Sequence, residues 1–145
     1  LNALTAAKSK IGDFPFTTLT PGLGSFYGLI LADIPGLIEG AADGKGLGHK
    51  FLRHIERTKT LLHCISAEHE DPIEAYKIVR KELELYNKDI LTKPEIIVLT
   101  KIDMITEEQR IEKMEALKEI SPKVYSTSVL DDKIIPQFSK ILLNN

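Results

Sequence analysis

With one cysteine, Cys64, among its 145 residues, the chain has no second thiol with which to close an intramolecular disulfide. Its stability must come from a core, and a reducing compartment is expected. Long apolar runs are also missing. None approaches the roughly 18 residues that a bilayer-spanning helix needs, and no signal-peptide pattern opens the sequence. A cytoplasmic location without a membrane span is the expectation from these two absences. Charge of one sign is not in excess either: 19 basic residues stand against 21 acidic ones, a net −2. That excludes a whole-chain electrostatic signature for nucleic acid or membrane, though not a basic face on one side. The four histidines, His49, His54, His63 and His69, show no metal-ligand spacing. Repeats and low-complexity tracts are lacking. The first residue is Leu1 rather than Met, which suggests a piece of something longer.

The remaining composition, 43% apolar and 28% charged, is that of an ordinary globular domain. Leu1 to Lys10 reads as the back half of a helix. Residues 11–21 carry Gly12, Asp13, Pro15 and Pro21 and predict irregular chain. Gly22 to Tyr27 predicts a short edge strand. Leu29 to Ala32 is wholly apolar and predicts a strand buried on both faces of a sheet. That strand stops at Asp33, because Ile34-Pro35-Gly36 removes a ladder donor. A glycine-rich loop then runs to Gly48, and His49 to Thr58 has amphipathic helical spacing.

Lys59 to Ser66, with Leu-Leu-His-Cys-Ile, predicts another buried strand, in which Cys64 is a small core residue. Asp71-Pro72-Ile73-Glu74 is a helix start, with Ile73, Tyr76, Val79, Leu83, Tyr86 and Ile90 marking one face. Pro94 to Leu99 predicts a third buried strand, ending in Thr100-Lys101-Ile102-Asp103. Thr106 to Gln109 has capping-box spacing and opens a helix with Ile111, Met114 and Leu117. A short strand over Lys123 to Ser128 and a helix over Asp132 to Leu143 follow. Strands alternating with helices predict a parallel sheet covered on both faces, in one domain over residues 1–145.

In such sheets ligands gather at the carboxyl ends of the strands. Three polar clusters fall there: Asp33 to Gly36, Thr100 to Asp103, and the turn around Thr127 and Ser128. An aspartate ending a buried strand, with glycine three residues later, suits a metal beside a phosphate; alone the pattern is weak. Lys101-x-Asp103 is more specific. The Asp103 carboxylate can accept from guanine N1–H and N2–H₂ while the Lys101 stem covers the base plane, a pairing that rejects adenine. Solvated strand-end charges are the competing reading. Thr18 can ligate Mg²⁺ through its hydroxyl from a loop ordered by a γ-phosphate, or serve as a plain turn residue.

These residues resemble the GTPase domain of the Obg family of bacterial ribosome-assembly GTPases. Asp13-Phe14-Pro15-Phe16-Thr17-Thr18-Leu19-Thr20-Pro21 is similar to its first switch region. Ala32-Asp33-Ile34-Pro35-Gly36-Leu37-Ile38-Glu39-Gly40-Ala41, with Gly44-Lys45-Gly46-Leu47-Gly48 and Phe51 to Arg57, is similar to its second. The resemblance implies an α/β, P-loop NTPase-type three-layer fold with a mostly parallel sheet. It implies Mg²⁺, GTP and GDP as ligands, with Phe16, Thr17, Thr18, Leu19 and Thr20 around the nucleotide. Thr18 would hold the metal directly and Asp33 through water, Ile34 and Pro35 would flank them, and the Gly36 N–H would touch the γ-phosphate. Thr100, Lys101, Ile102 and Asp103 would read guanine together with Thr127, Ser128 and Val129. The large ribosomal subunit, through its RNA and proteins, is the implied partner of a monomer. Leu37 stands where Ras-like enzymes place a water-orienting glutamine, so slow intrinsic hydrolysis is implied, with no side chain as general base.

Three departures qualify the match. Thr100 occupies the place of the family's asparagine. The sequence does not set the register of the Ser126-Thr127-Ser128-Val129 loop, since Leu130-Asp131-Asp132-Lys133 lacks anchoring glycines. A Gly-x-x-x-x-Gly-Lys-Ser loop is absent from the 145 residues, and so is the strand before it. The sheet is therefore expected to be incomplete at its amino-terminal strand, between the strands ending at Asp33 and near Ser66. Weak or no nucleotide binding is expected of this chain, with a catalytically inactive interaction module as the alternative function.

Overall fold

The computed structural model describes residues 22–33 and 55–144. Two strands, β1 (Gly22–Phe26) and β2 (Leu29–Asp33), form an antiparallel hairpin. Tyr27 and Gly28 join them at φ 48° and φ 85°. Positive φ at both central residues is what a type I′ turn requires, and its twist matches that of the flanking strands. A side chain at position 28 would meet nothing within 4 Å, so glycine stands there for its backbone freedom alone.

Three further strands, β3 (Leu61–Ser66), β4 (Glu95–Thr100) and β5 (Val124–Ser126), make a parallel sheet in the order β3-β4-β5. Helix α1 (Pro72–Tyr86) connects β3 to β4, α2 (Glu107–Lys118) connects β4 to β5, and α3 (Ile134–Leu143) follows β5. Both interior helix starts are specified locally. The Asp71 carboxylate accepts from the N–H groups of Ile73 and Glu74, with Pro72 at the first helical position. Thr106 and Gln109 close a capping box on α2. Helix α1 stops at Tyr86; Ile90 is buried from a short 3₁₀ turn, Lys88–Thr92.

The core has two faces because β4 has two. Ile97 and Leu99 point into a cluster with Ile65, Met114, Leu117 and Val124, beneath α1 and α2. Ile96 and Val98 point the other way, against Phe26, Ile134, Phe138 and Ile141. The hairpin and α3 thus cover the second face, and the described residues form the expected three layers. All four of these β4 residues are at most 1% exposed. At roughly 25 cal/mol per Å² of apolar surface removed from water, β4 is the strand most costly to disturb.

Two expectations fail here. The Leu29–Ala32 strand is not buried on both faces. In the hairpin register Phe26 and Leu31 turn to the core, while Ile30, paired with Ser25, is 72% exposed. An antiparallel ribbon has one inner face, and a one-residue alternation puts its neighbour outside. Cys64 is not a core residue either; it is exposed on β3, between His63 and buried Ile65. Strand β3 pairs with β4 on one side, and among the described residues it has no ladder with β2. The helix expected over His49 to Thr58 lies largely outside the described residues, which begin in helical conformation at Ile55 and Glu56.

At the amino ends of β3 and β4 sits a polar cluster. Glu95 Oε2 lies 3.4 Å from Arg80 and 3.5 Å from His63 Nδ1, and His63 stacks on Tyr76 with ring centroids 5.4 Å apart. His63 Nδ1 is buried at this contact, which lies at the limit of hydrogen-bonding distance. Burial alone would raise the Glu95 carboxyl; His63, Arg80 and the Tyr76 hydroxyl outweigh it and hold it below the ordinary 4.5. Burial and the Glu95 charge raise the Tyr76 phenol.

Stability supplied by Glu95 is present above pH 4.5 and lost as pH falls through its lower folded value. Glu95→Gln should cost about 1 kcal/mol at neutral pH, and the gap in urea midpoints should close as pH falls through the lowered Glu95 value; a gap that stays constant from neutral pH into acid would refute this assignment. Leu99→Ala should cost about 3 kcal/mol, whereas Ile30→Thr should stay within about 0.5 kcal/mol. Comparable losses at the two positions in urea unfolding would contradict the hairpin register.

Candidate guanine-reading corner

Strand β4 delivers its last residues to the carboxyl edge of the sheet. The Thr100 hydroxyl donates to the Ile65 carbonyl at 3.3 Å, and the Thr100 carbonyl accepts from Ala67 N–H at 2.8 Å. Both contacts tie the end of β4 to the end of β3. At Lys101 the backbone turns left-handed, φ 58° and ψ 36°, which for a non-glycine residue costs about 1 kcal/mol or more. That turn starts a short 3₁₀ helix, Ile102–Met104, stabilised by Met104 N–H donating to the Lys101 carbonyl at 2.9 Å. Lys101 and Asp103 are both exposed at this edge.

The loop after β5 has a defined register. Thr127 N–H donates to the Leu99 carbonyl at 2.9 Å, and Ile102 N–H donates to the Thr127 carbonyl at 3.4 Å. Thr127 and Ser128 are therefore buried, 5% and 7% exposed, and Val129 points outward at 69%. The Ser128 hydroxyl donates to Asp103 Oδ1 at 2.5 Å. It also accepts Leu130 N–H at 3.1 Å. Glycines are not needed to anchor this loop. Asp131 N–H donates to the Ser128 carbonyl at 3.1 Å, and the Asp131 carboxylate accepts from Lys133 N–H and from Gln137.

The structure thus brings together Thr100, Lys101, Ile102, Asp103, Thr127 and Ser128, with Val129 at the rim. One of the roughly four lone-pair sites of the Asp103 carboxylate is taken by Ser128, and the rest can accept a ligand's paired N–H groups. Asp33 ends β2 opposite Gly22 in the hairpin. Phe16, Thr17, Thr18, Leu19, Thr20, Ile34, Pro35 and Gly36 lie outside the described residues. No cluster of metal-ligating side chains occurs among the described residues.

Sequence reasoning passed over Glu68. Its carboxylate lies 3.0 Å from the Lys101 ammonium, just beyond the end of β3. Topology carried the signal: a residue two places past one parallel strand lies beside the first residue after the next.

Residues 1–101 match the family described as "50S ribosome-binding GTPase". The chain is 52% identical over 140 residues to the GTPase Obg of Anaplasma phagocytophilum, covering 94% of this chain and 40% of that protein. It is 48% identical over 153 residues to the GTPase Obg of Persephonella marina, covering 98% and 44%. It therefore spans less than half the length of these relatives. A solved structure of Era, in complex with MgGDPNP and nucleotides 1506–1542 of 16S ribosomal RNA, superposes with TM-score 0.70 at 21% identity. That match covers 99% of this chain and 50% of Era, and it shows that the two share a fold. With the family matched over more than two thirds of its residues and Obg proteins at about half identity, the chain belongs to the ribosome-binding GTPases, as an Obg-family GTPase domain.

Proposed function

We propose that these residues are part of a GTPase domain that binds a guanine nucleotide through Asp103 and acts on the large ribosomal subunit in its assembly. The observation that carries the reading is the Ser128–Asp103 hydrogen bond at 2.5 Å. It holds one carboxylate oxygen at the edge of the sheet and aims the group outward, where N1–H and N2–H₂ of guanine can pair with it. Adenine offers no matching pair of donors there, and a carboxylate left desolvated and unpaired is costly.

In this reading Lys101 lies along the base plane, with Thr127 and Ser128 closing the opposite side. Phe16 to Thr20 and Asp33 to Gly36 supply the switch residues, Thr18 and Asp33 being those that would hold Mg²⁺. When bound, the ion would neutralise charge on the transferring phosphoryl group. The protein's own contribution is positioning and hydrogen bonding to phosphate oxygens. Leu37 brings no group able to orient water, so hydrolysis by these residues alone is slow and completion by the ribosome is part of the proposal.

The chain contains no Gly-x-x-x-x-Gly-Lys-Ser, the loop whose N–H groups and lysine cradle phosphates. The 145 residues by themselves should then bind GTP only weakly, through the base alone. A micromolar or tighter affinity for a fluorescent GTP analogue would overturn that. A second reading is an inactive module that presents switch-like surfaces to a partner. In a longer protein that supplies the loop, Asp103→Asn should move preference from GTP toward XTP by about 100-fold or more. Unaltered base selectivity in competition binding would remove Asp103 from the site.

A further inference from the structure

We propose that Glu68 is a positioning residue for the guanine corner, holding Lys101 in place as the wall beneath the base. The inference rests on the guanine reading above and adds to it a residue from a different strand.

Lys101 is a poor wall on its own. Its stem has four rotatable carbons, and fixing such a chain loses up to about 2 kcal/mol of rotamer freedom. The left-handed backbone at Lys101 fixes where the stem begins but not where it ends. The end is fixed by Glu68 Oε1, 3.0 Å from Nζ.

Glu68 is itself oriented. Its N–H donates to Ser66 Oγ at 3.2 Å, and the Ser66 hydroxyl lies 3.4 Å from Glu68 Oε1, to which it donates. A relay from Ser66 through Glu68 to Lys101 therefore crosses from β3 to the loop after β4. Thr100 carries no charge with which to replace Glu68, and its hydroxyl donates to the Ile65 carbonyl. The two ties are neighbours: Thr100 binds backbone to backbone strand, and Glu68 binds the side chain that faces the ligand.

Both partners are about half exposed, so the pair is screened by salt and its effect is modest. The consequence for binding is one of preorganisation. A lysine already lying across the edge need not be ordered when the base arrives.

The test is an amide NMR titration of this chain with GMP and AMP at millimolar concentration, in about 20 mM and 500 mM salt. GMP should shift residues 100–104 and 127–129 more than AMP does, and Asp103→Asn should abolish that preference. Glu68→Gln should weaken GMP binding roughly 2- to 5-fold at low salt, and the difference should fade at high salt. In a Lys101→Met background Glu68→Gln should have no further effect, an outcome that a merely structural role for Glu68 would not give. Should Asp103→Asn abolish the preference while Glu68→Gln does nothing, or acts equally with and without Lys101, the positioning role is wrong and the guanine corner stands. No GMP shift in the unaltered chain, or an Asp103→Asn protein that still prefers GMP, would bring down the guanine corner and the positioning role with it.

Discussion

A strand buried on both faces can offer nothing polar along its length, so it must present its chemistry at its end. Strand β4 is under that constraint. Its four central side chains leave no surface to solvent beyond 1%, and they divide evenly between the two clusters that make up the core. Helices α1 and α2 on one side, and α3 with the hairpin on the other, exist as layers because β4 requires cover on both. The polar residues 100–103 follow at once where that cover stops. The position of the candidate site is thus a by-product of how the core is filled.

The site is then built by pairing rather than by burial. Strand β5 is three residues long, yet its ladder with β4 continues one residue further through Thr127 and the Leu99 carbonyl. That extra rung brings Ser128 to Asp103. On the other side, rungs between Thr100, Ile65 and Ala67 bring the end of β3 level with Lys101. Three strand ends converge because parallel pairing keeps them in register, and each contributes one polar group to the edge.

Much of this was legible in the sequence. The Ile-Ile-Val-Leu run, the Asp71 cap and the Thr106 capping box each carry local physics that tertiary context does not overrule, and all appear where expected. The two polar clusters at residues 100–103 and 127–128 could be assigned to one edge from strand–helix alternation alone. What could not be read was set by pairing partners. Four apolar residues from Leu29 to Ala32 look the same whether a strand is covered on one face or two, and only the hairpin register with β1 decides it. Cys64 looked interior for the same reason. The loop after β5 was unreadable because its anchors are side-chain oxygens, on Ser128 and Asp131, rather than glycines. Glu68 is silent in sequence, since 33 residues separate it from Lys101.

The exposure of Cys64 has a practical consequence. It is the sole thiol of the chain, it stands on β3 in register with Val98, and it is two residues from Ser66 at the edge where the strands end. A maleimide dye or spin label would therefore attach at one defined point without mutagenesis. Its signal would report on the face of the sheet that Cys64 shares with Val98, making an otherwise ordinary residue a built-in observation post for whatever approaches that side.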